Sequence, residues 1–237
     1  MKVAVVFVRV VTKPEYDHGI KRLIDSIAKY DAKYPYEAYI INRYADASPR
    51  DLFGDINYIV KILRYDQGGW DCGAWQFAGK NIDADLLVCF NSSTYITGDG
   101  WLKKFVDAVE KYGDGLYGPL ASYEIQSHIR TPCMAFQPYV VQGYPHEVLS
   151  RDDTWRFEVF GFPPENINFT QWVRNKGLQT RLVTWDGVYD LTDWRTPPNI
   201  FRRGDQSNLI VKDRHCEAYE ISDAENKQRL EHLADGR

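Results

Sequence analysis

The strongest signals in the sequence are two neighbouring segments, Gly68-Gly69-Trp70-Asp71-Cys72-Gly73-Ala74-Trp75 and Asp85-Leu86-Leu87-Val88-Cys89-Phe90-Asn91-Ser92-Ser93. The first is a glycine-rich turn that opens a helix. The second is a short apolar run that ends on small polar residues, a pattern typical of a buried strand. Together they predict a helix over 73–81 and a strand over 85–90 that bring polar side chains to the edge of a sheet.

Upstream and downstream of these segments, strand patterns alternate with helix patterns. Apolar residues run without interruption through 3–8, and they recur at helical spacing through 17–30. Further elements are predicted as strands over 36–41, 58–64 and 115–120, a short helix over 49–53, and a helix from 101 to about 112. This alternation predicts an α/β fold with a mostly parallel central sheet flanked by helices.

The second half of the chain has a less regular pattern. We expect sheet elements over 129–136 and 139–142, a functional loop over 150–168, a helix over 169–176 ended by Gly177, a strand over 179–185, an irregular region over 186–208, a short strand or turn at 209–211, and a surface helix after 222. There is no internal repeat and no low-complexity linker. Residues 1–237 are therefore expected to form a single domain.

Composition excludes several classes of protein. Among 237 residues, 29 are Lys or Arg and 33 are Asp or Glu, and the resulting net charge of −4 argues against nucleic acid as a partner. No run of 18 apolar residues predicts a membrane span. The first apolar run is too short for a signal peptide, so we expect a cytoplasmic protein. The four cysteines form no CxxC pair and are expected to be free thiols.

Polar side chains follow several predicted strands at their carboxyl ends. Arg9 ends the first strand, Asn42 ends the second, and Asn91 follows the central strand. In open α/β sheets, ligands bind beyond these strand ends, so the three residues predict a ligand-binding rim. Asp71 precedes its helix and fits either a hydrogen bond to a ligand or an N-cap. The absence of a G-x-S-x-G elbow and of a P-loop pattern argues against two other α/β classes.

Taken together, the motifs resemble those of nucleotide-sugar glycosyltransferases with the GT-A fold, most closely the inverting family 2 type found in bacterial and viral proteins. The resemblance spans nearly the whole chain and is carried by Lys13-Pro14-Glu15-Tyr16-Asp17-His18-Gly19-Ile20, Gly69 to Ala74, Leu87 to Ser93, Gly100-Trp101-Leu102, Gly118-Pro119, His128-Ile129-Arg130-Thr131 and Gly204-Asp205-Gln206-Ser207-Asn208-Leu209. It implies a nucleotide-sugar-binding half over 1–120 and an acceptor-binding half over 121–237.

The resemblance also implies a metal site, from which this sequence departs. In such enzymes an Asp-x-Asp triplet ends the central strand and holds Mg²⁺ or Mn²⁺ against the diphosphate. Asn91 and Ser93 stand in its place and are the candidate metal ligands, and Ser92 joins them as a candidate donor contact. Three interpretations remain open: a cation held with a nearby carboxylate, metal-free catalysis assisted by basic residues, or binding without turnover.

An inverting transfer needs a general base to deprotonate the acceptor hydroxyl. In the resembled family this carboxylate precedes the late helix, and here that region offers Asp152, Asp153, Glu158 and Glu165. Glu165 is the first choice for the catalytic residue and Asp153 the second. A favourable interaction with the helix dipole would explain acidic residues near the start of a helix equally well.

Basic residues supply candidates for the diphosphate. Arg130 is expected to make a bidentate contact with it, although a structural salt bridge would also explain this residue. Arg202, Arg203 and His215 lie in the late loops and fit either a closing role over the diphosphate or a solvated basic face.

The leading hypothesis is a glycosyltransferase that moves a hexosyl or pentosyl group from a nucleoside diphosphate sugar to a glycan or other hydroxyl acceptor, with inversion. The alternative is a non-catalytic nucleotide-sugar- or carbohydrate-binding module on the same fold.

Overall fold

The computed structural model describes residues 1–13, 16–48 and 60–237. Its strands, in chain order, are β1 (Val3–Val10), β2 (Glu37–Arg43), β3 (Val60–Tyr65), β4 (Leu86–Phe90), β5 (Tyr95–Ile96), β6 (Gly115–Gly118), β7 (Ala121–Ser122), β8 (His128–Ile129), β9 (Cys133–Phe136), β10 (Gln179–Val183), β11 (Val188–Asp190) and β12 (Val211–Lys212). Its α-helices are α1 (Asp17–Lys29), α2 (Trp70–Asn81), α3 (Trp101–Tyr112), α4 (Pro138–Gln142), α5 (Arg151–Trp155), α6 (Phe169–Asn175), α7 (Arg214–Glu220) and α8 (Ala224–Ala234).

Eight of these strands form one sheet in the order β11-β10-β6-β9-β4-β1-β2-β3. β1 runs parallel to β2 and β4, β2 runs parallel to β3, and β6 runs parallel to β10. β9 is antiparallel to both β4 and β6, and β11 is antiparallel to β10. Six of the eight strands, all but β9 and β11, therefore point the same way, which confirms the predicted mostly parallel α/β sheet.

Helices cover both faces of the sheet. Val3, Val5 and Phe7 of β1 face a core shared with α1 and α3, whereas the alternate residues of β1 face a second core shared with α2, α4 and α6. Because side chains alternate along a strand, burial on both faces requires a continuous apolar sequence. This requirement explains the uninterrupted run at residues 3–8.

The amphipathic helices match their predictions. The apolar residues of α1 that were identified by spacing are all buried, namely Ile20, Leu23, Ile24 and Ile27. α3 ends at Tyr112 as expected. α2 begins at Trp70, three residues before the predicted start, because the preceding Gly69 takes up a φ of +82° and turns the chain into the helix there. The predicted short helix over 49–53 lies outside the described residues.

Two expectations for the second half are wrong. Residues 139–142 belong to helix α4 rather than to a sheet, since Pro138 occupies the first helical turn and presets its φ for a helix. The predicted loop over 150–168 is helical in its first part: Ser150 caps α5, and a π-helix over Arg156–Phe160 follows directly, whereas 161–168 form turns. Phe157 and Val159 of the π-helix are buried, so this region is part of the core.

The region over 186–208 contains β11, which forms the edge of the main sheet. The four cysteines are free, as predicted. All four are buried, and burial raises the pKa of each thiol well above its ordinary value. None of the helices in the described ranges combines the length and the apolar character that a membrane crossing requires.

Candidate functional site

The strand order reverses between β1 and β4. β2 and β3 lie on one side of β1, and β4 lies on the other. In open α/β sheets a crevice for ligands opens at such a point, beyond the carboxyl ends of the strands. Arg9 and Asn42 are register partners at the ends of β1 and β2, and Asn91 follows β4. The structure thus brings these three predicted residues to one rim of the sheet.

Neighbouring protein groups hold the rim residues of β1 and β2. The buried Arg9 donates to both carboxylate oxygens of Asp17, at 3.1 and 2.8 Å. Asn42 donates from Nδ2 to the carbonyl oxygen of Ala47 at 2.9 Å, whereas its Oδ1 is buried without a hydrogen-bond partner. The charge of Arg9 is therefore balanced within the protein, and Asn42 retains an unsatisfied acceptor.

The predicted metal ligands after β4 are bonded to each other. Asn91 Oδ1 accepts one hydrogen bond from the backbone N–H of Ser93 and one from its hydroxyl, both at 2.9 Å. These contacts form an Asx turn, a common local structure for this residue type. The carbonyl oxygen of Ser92 packs against Gly19 of α1, where a Cβ atom would lie 2.1 Å from that oxygen.

This turn does not fit the divalent cation that the family resemblance implies. The side-chain oxygen of Asn91 already has two donors, and the turn itself carries no carboxylate. Across the described ranges, no three His, Cys, Asp or Glu side chains are gathered so as to hold a metal. Hard cations such as Mg²⁺ and Mn²⁺ prefer anionic oxygens, and the turn offers none.

Asp71 lies in the first turn of α2, and its carboxylate has no hydrogen-bond or ion-pair partner among the described residues. The N-cap position of α2 belongs to Gly69, so the interpretation of Asp71 as an N-cap is wrong. Burial raises the pKa of Asp71 to about 6, against the opposing positive charge of Arg43. A carboxyl group with this pKa is able to exchange a proton near neutral pH.

The glycine-rich turn is a packing surface for the second half of the chain. A Cβ atom at Gly68 would lie 1.7 Å from the carbonyl oxygen of Leu149, and one at Gly69 would lie 1.8 Å from that of Val148. The hydroxyl of Thr154 in α5 also donates to the Gly69 carbonyl oxygen at 3.2 Å. Gly68 and Gly69 therefore both permit a close approach of the backbone, and Gly69 also has a positive φ.

Arg130 lies between two carboxylates at the same end of the sheet. Its Nε is 3.7 Å from Glu158 Oε1, and its Nη1 is 3.6 Å from Asp213 Oδ2. Its guanidinium also lies 4.2 Å from the ring centroid of Phe201. The side chain is only 13% exposed. We call Arg130, Glu158 and Asp213 the Arg130 triad.

Backbone hydrogen bonds connect the Arg130 triad to the β4 end. The N–H of Asn91 donates to the carbonyl oxygen of Pro132 at 3.1 Å, two residues after Arg130. β12 pairs with β5 so that Lys212 faces Tyr95, and Asp213 comes directly after Lys212. Asp213 therefore lies near the segment that leaves the β4 end.

The other predicted basic residues separate into two groups. Arg202 lies near Arg130, and both burial and the Arg130 charge lower its pKa. The same two effects lower the pKa of His215. Arg203 instead pairs with Asp235 at 2.6 Å, beyond the end of α8. The structure thus places Arg202 and His215 near the triad and ties Arg203 to the C-terminal segment.

The two predicted catalytic carboxylates differ in their partners. Glu165 is exposed in a turn and makes no hydrogen bond or ion pair with any described residue, including those of the rim. Asp153 accepts from the N–H of Leu149 at 3.2 Å and pairs with Arg156. Burial acts to raise the pKa of Asp153, but hydrogen bonds from Ser150 and Leu149, with the Arg156 charge, lower it overall.

Asp213 was not anticipated as a site residue. Its carboxylate caps α7 by accepting from the N–H groups of His215 and Cys216, at 3.0 and 2.9 Å. An Asp ahead of a helical segment is a recognisable N-cap signal. That signal locates the start of the helix, but it does not predict that the Asp213 carboxylate lies beside Arg130.

No model of a known protein family matches this chain, and no curated protein matches it. Several solved structures are similar in fold. HddC from Yersinia pseudotuberculosis has a TM-score of 0.45 at 17% identity, over 63% of this chain and 83% of HddC. S. aureus TarS 1–349 in complex with UDP has a TM-score of 0.45 at 15% identity, over 65% of this chain and 53% of TarS.

A third similar structure is the mannosyltransferase PcManGT from Pyrobaculum calidifontis in complex with GDP-Man and Mn²⁺. Its TM-score is 0.44 at 12% identity, over 61% of this chain and 46% of the mannosyltransferase. The chain matches about half of the TarS fragment and of the mannosyltransferase. Similarities this low establish no family for the chain.

Proposed function

We propose that the protein is a glycosyltransferase that transfers a sugar from a nucleoside diphosphate sugar to a hydroxyl acceptor. The observation that carries the proposal is the convergence of Arg9, Asn42 and Asn91 at the crevice between β1 and β4, with the unpartnered carboxyl of Asp71 in the helix that follows β3. Crevices at this position of an α/β sheet bind nucleotides in many proteins.

In this proposal residues 1–120 bind the nucleotide sugar, and residues 121–237 complete the site and bind the acceptor. Asn91, Ser92 and Ser93 contact the donor through the turn after β4, and Arg130 approaches its diphosphate from the second half. The resemblance of the sequence motifs to GT-A enzymes, which is independent of the geometry, supports the same assignment.

We assign the general base to Glu165, with Asp153 second. A base needs a carboxylate oxygen that is free to take the acceptor proton, and Glu165 has no partner among the described residues. Both oxygens of Asp153 accept hydrogen bonds, and Glu158 is held by Thr131. As the proton moves to the base, the acceptor oxygen attacks the anomeric carbon and the bond to the diphosphate oxygen breaks, with inversion.

The test is to incubate the full chain with UDP-, GDP- and dTDP-sugars, with and without Mn²⁺, in the presence of glycan acceptors. We expect release of a nucleoside diphosphate, and formation of a glycosylated product, for at least one donor. If every donor fails to bind and to turn over, the proposal is wrong.

A second candidate function is a binding module that holds the same nucleotide sugar without turnover. The observation that favours it is the Asx turn of Asn91, which uses the oxygens at the expected metal position. It predicts saturable donor binding by calorimetry without product for any donor and acceptor pair.

A further inference from the structure

We propose that the guanidinium of Arg130 binds the donor diphosphate directly and that this protein binds its donor without a divalent cation. The inference rests on the proposed function and adds to it that Arg130, rather than a metal ion, compensates the charge of the diphosphate. The turn at Asn91 to Ser93, at the end of β4, fits a divalent cation poorly. Some other group must therefore compensate the negative charge of the phosphates.

Arg130 differs from the buried Arg9 in how its N–H groups are used. Arg9 donates to both carboxylate oxygens of Asp17 and to the carbonyl oxygen of Ser48. Arg130 Nη1 is buried without a hydrogen-bond partner, and no hydrogen bond joins its guanidinium to any other described residue. Its contacts with Glu158 and Asp213, at 3.7 and 3.6 Å, are ion pairs beyond ordinary hydrogen-bond length. No protein acceptor therefore uses the donor capacity of Arg130 Nη1, the type of group that binds phosphate oxygens.

The two carboxylates of the Arg130 triad position the guanidinium without using its donors. Glu158 accepts hydrogen bonds from the N–H and the hydroxyl of Thr131. Asp213 accepts from two N–H groups at the start of α7, where the helix dipole favours a negative charge. Because other groups stabilise both anions, the two carboxylates hold Arg130 in place without accepting hydrogen bonds from it.

A second cation supports the same site. The guanidinium of Arg202 lies 5.0 Å from the centroid of the Phe201 ring, which Arg130 also contacts. Arg202 Nη1 pairs with Glu124 at 3.3 Å, and its Nε is buried without a partner. The positive charge of Arg130 lowers the pKa of Arg202, after the larger effect of burial, so the two charges oppose each other. A bound diphosphate would relieve that repulsion.

The experiment is calorimetric titration of the full chain with UDP and GDP, in EDTA and in Mn²⁺. We expect at least one nucleotide to bind, with affinities in the two buffers that agree within about twofold. We also expect the diphosphate to bind more tightly than UMP or GMP in EDTA. Arg130→Gln should weaken diphosphate binding roughly 10- to 100-fold and leave monophosphate binding nearly unchanged. Arg174→Gln, at an exposed arginine on α6, is the matched control and should have no effect.

Arg130→Lys keeps the charge and replaces the variant if Arg130→Gln does not fold; it should weaken binding to a smaller extent because it loses the planar fork. Tighter binding of the diphosphate than of the monophosphate in EDTA is measured on the unmodified protein, so this test does not depend on a variant that folds. Binding that requires Mn²⁺, or that both variants leave unchanged, would overturn this inference and leave a glycosyltransferase possible. Absence of any nucleotide or nucleotide-sugar binding would remove the proposed function as well.

Discussion

Glu158 accepts two hydrogen bonds from Thr131, one from its backbone N–H at 3.1 Å and one from its hydroxyl at 2.9 Å. The pair fixes a buried carboxylate of the π-helix beside Arg130. Because Thr131 follows Arg130 in sequence, the same short segment supplies both the cation and the donors that hold its anion.

We expect Thr131→Val to destabilise the fold by about 1.5 to 3 kcal/mol, since the variant keeps the side-chain shape but removes a donor to a charged group. The free energy of unfolding from urea denaturation is the measurement. Thr192→Val, at an exposed position, should change it by less than about 0.5 kcal/mol. Equal stability of the two variants would show that the hydroxyl does not hold Glu158.

Asp71→Asn should make the protein more stable at pH 7 and have little effect near pH 4. The folded pKa of Asp71 is raised from 3.8 to about 6. The stability that the neutral carboxyl contributes is therefore complete below pH 3.8 and is lost as the pH rises through about 6. The gain at pH 7 should reach about 2 to 3 kcal/mol, as measured by urea denaturation across this range. A gain independent of pH would contradict the assignment.

Gly19→Ala should destabilise the fold by about 2 kcal/mol or more, although alanine normally favours a helix over glycine. The new Cβ would lie 2.1 Å from the carbonyl oxygen of Ser92, so α1 or the β4-end turn must shift. The thermal midpoint and the urea midpoint are the measurements. Lys21→Ala, at an exposed position of the same helix, is the control and should be nearly neutral.

Variants of two carboxylates should separate catalysis from donor binding. Glu165→Gln should keep donor affinity and lower turnover by about 100-fold or more, because it removes the proposed base. Glu158→Gln should instead weaken UDP or GDP binding, since Glu158 positions Arg130. Turnover and calorimetric affinity are measured on each variant. A fully active Glu165→Gln would transfer the role of base to another carboxylate.

The parts of the fold that were predictable are those with strong periodicity. The spacing of Ile20, Leu23, Ile24 and Ile27 defined α1, and the continuous apolar run at residues 3–8 defined β1. Helix α4 was not recognised because it has five residues, too few for a helical period to be seen, and its adjacent Val140 and Val141 suit a strand equally well.

The candidate site was predictable only in part. Strand-end positions identified Arg9, Asn42 and Asn91, because the carboxyl ends of parallel strands meet at one edge. The Arg130 triad joins residues 130, 158 and 213, which come from three separate segments. Only tertiary packing brings them together, so no local pattern reports it. Likewise, the sequence Asn91-Ser92-Ser93 does not distinguish a ligand-binding oxygen from one that closes its own turn.

The carbonyl oxygens of Leu149 and Val148 occupy the space where side chains at Gly68 and Gly69 would begin. This packing has an evolutionary consequence. Both positions are closed to every other residue type for as long as the backbone at 148–149 keeps its path. Relatives that replace either glycine should therefore also show an insertion, a deletion or a changed course in that distant segment, and the two regions should vary together.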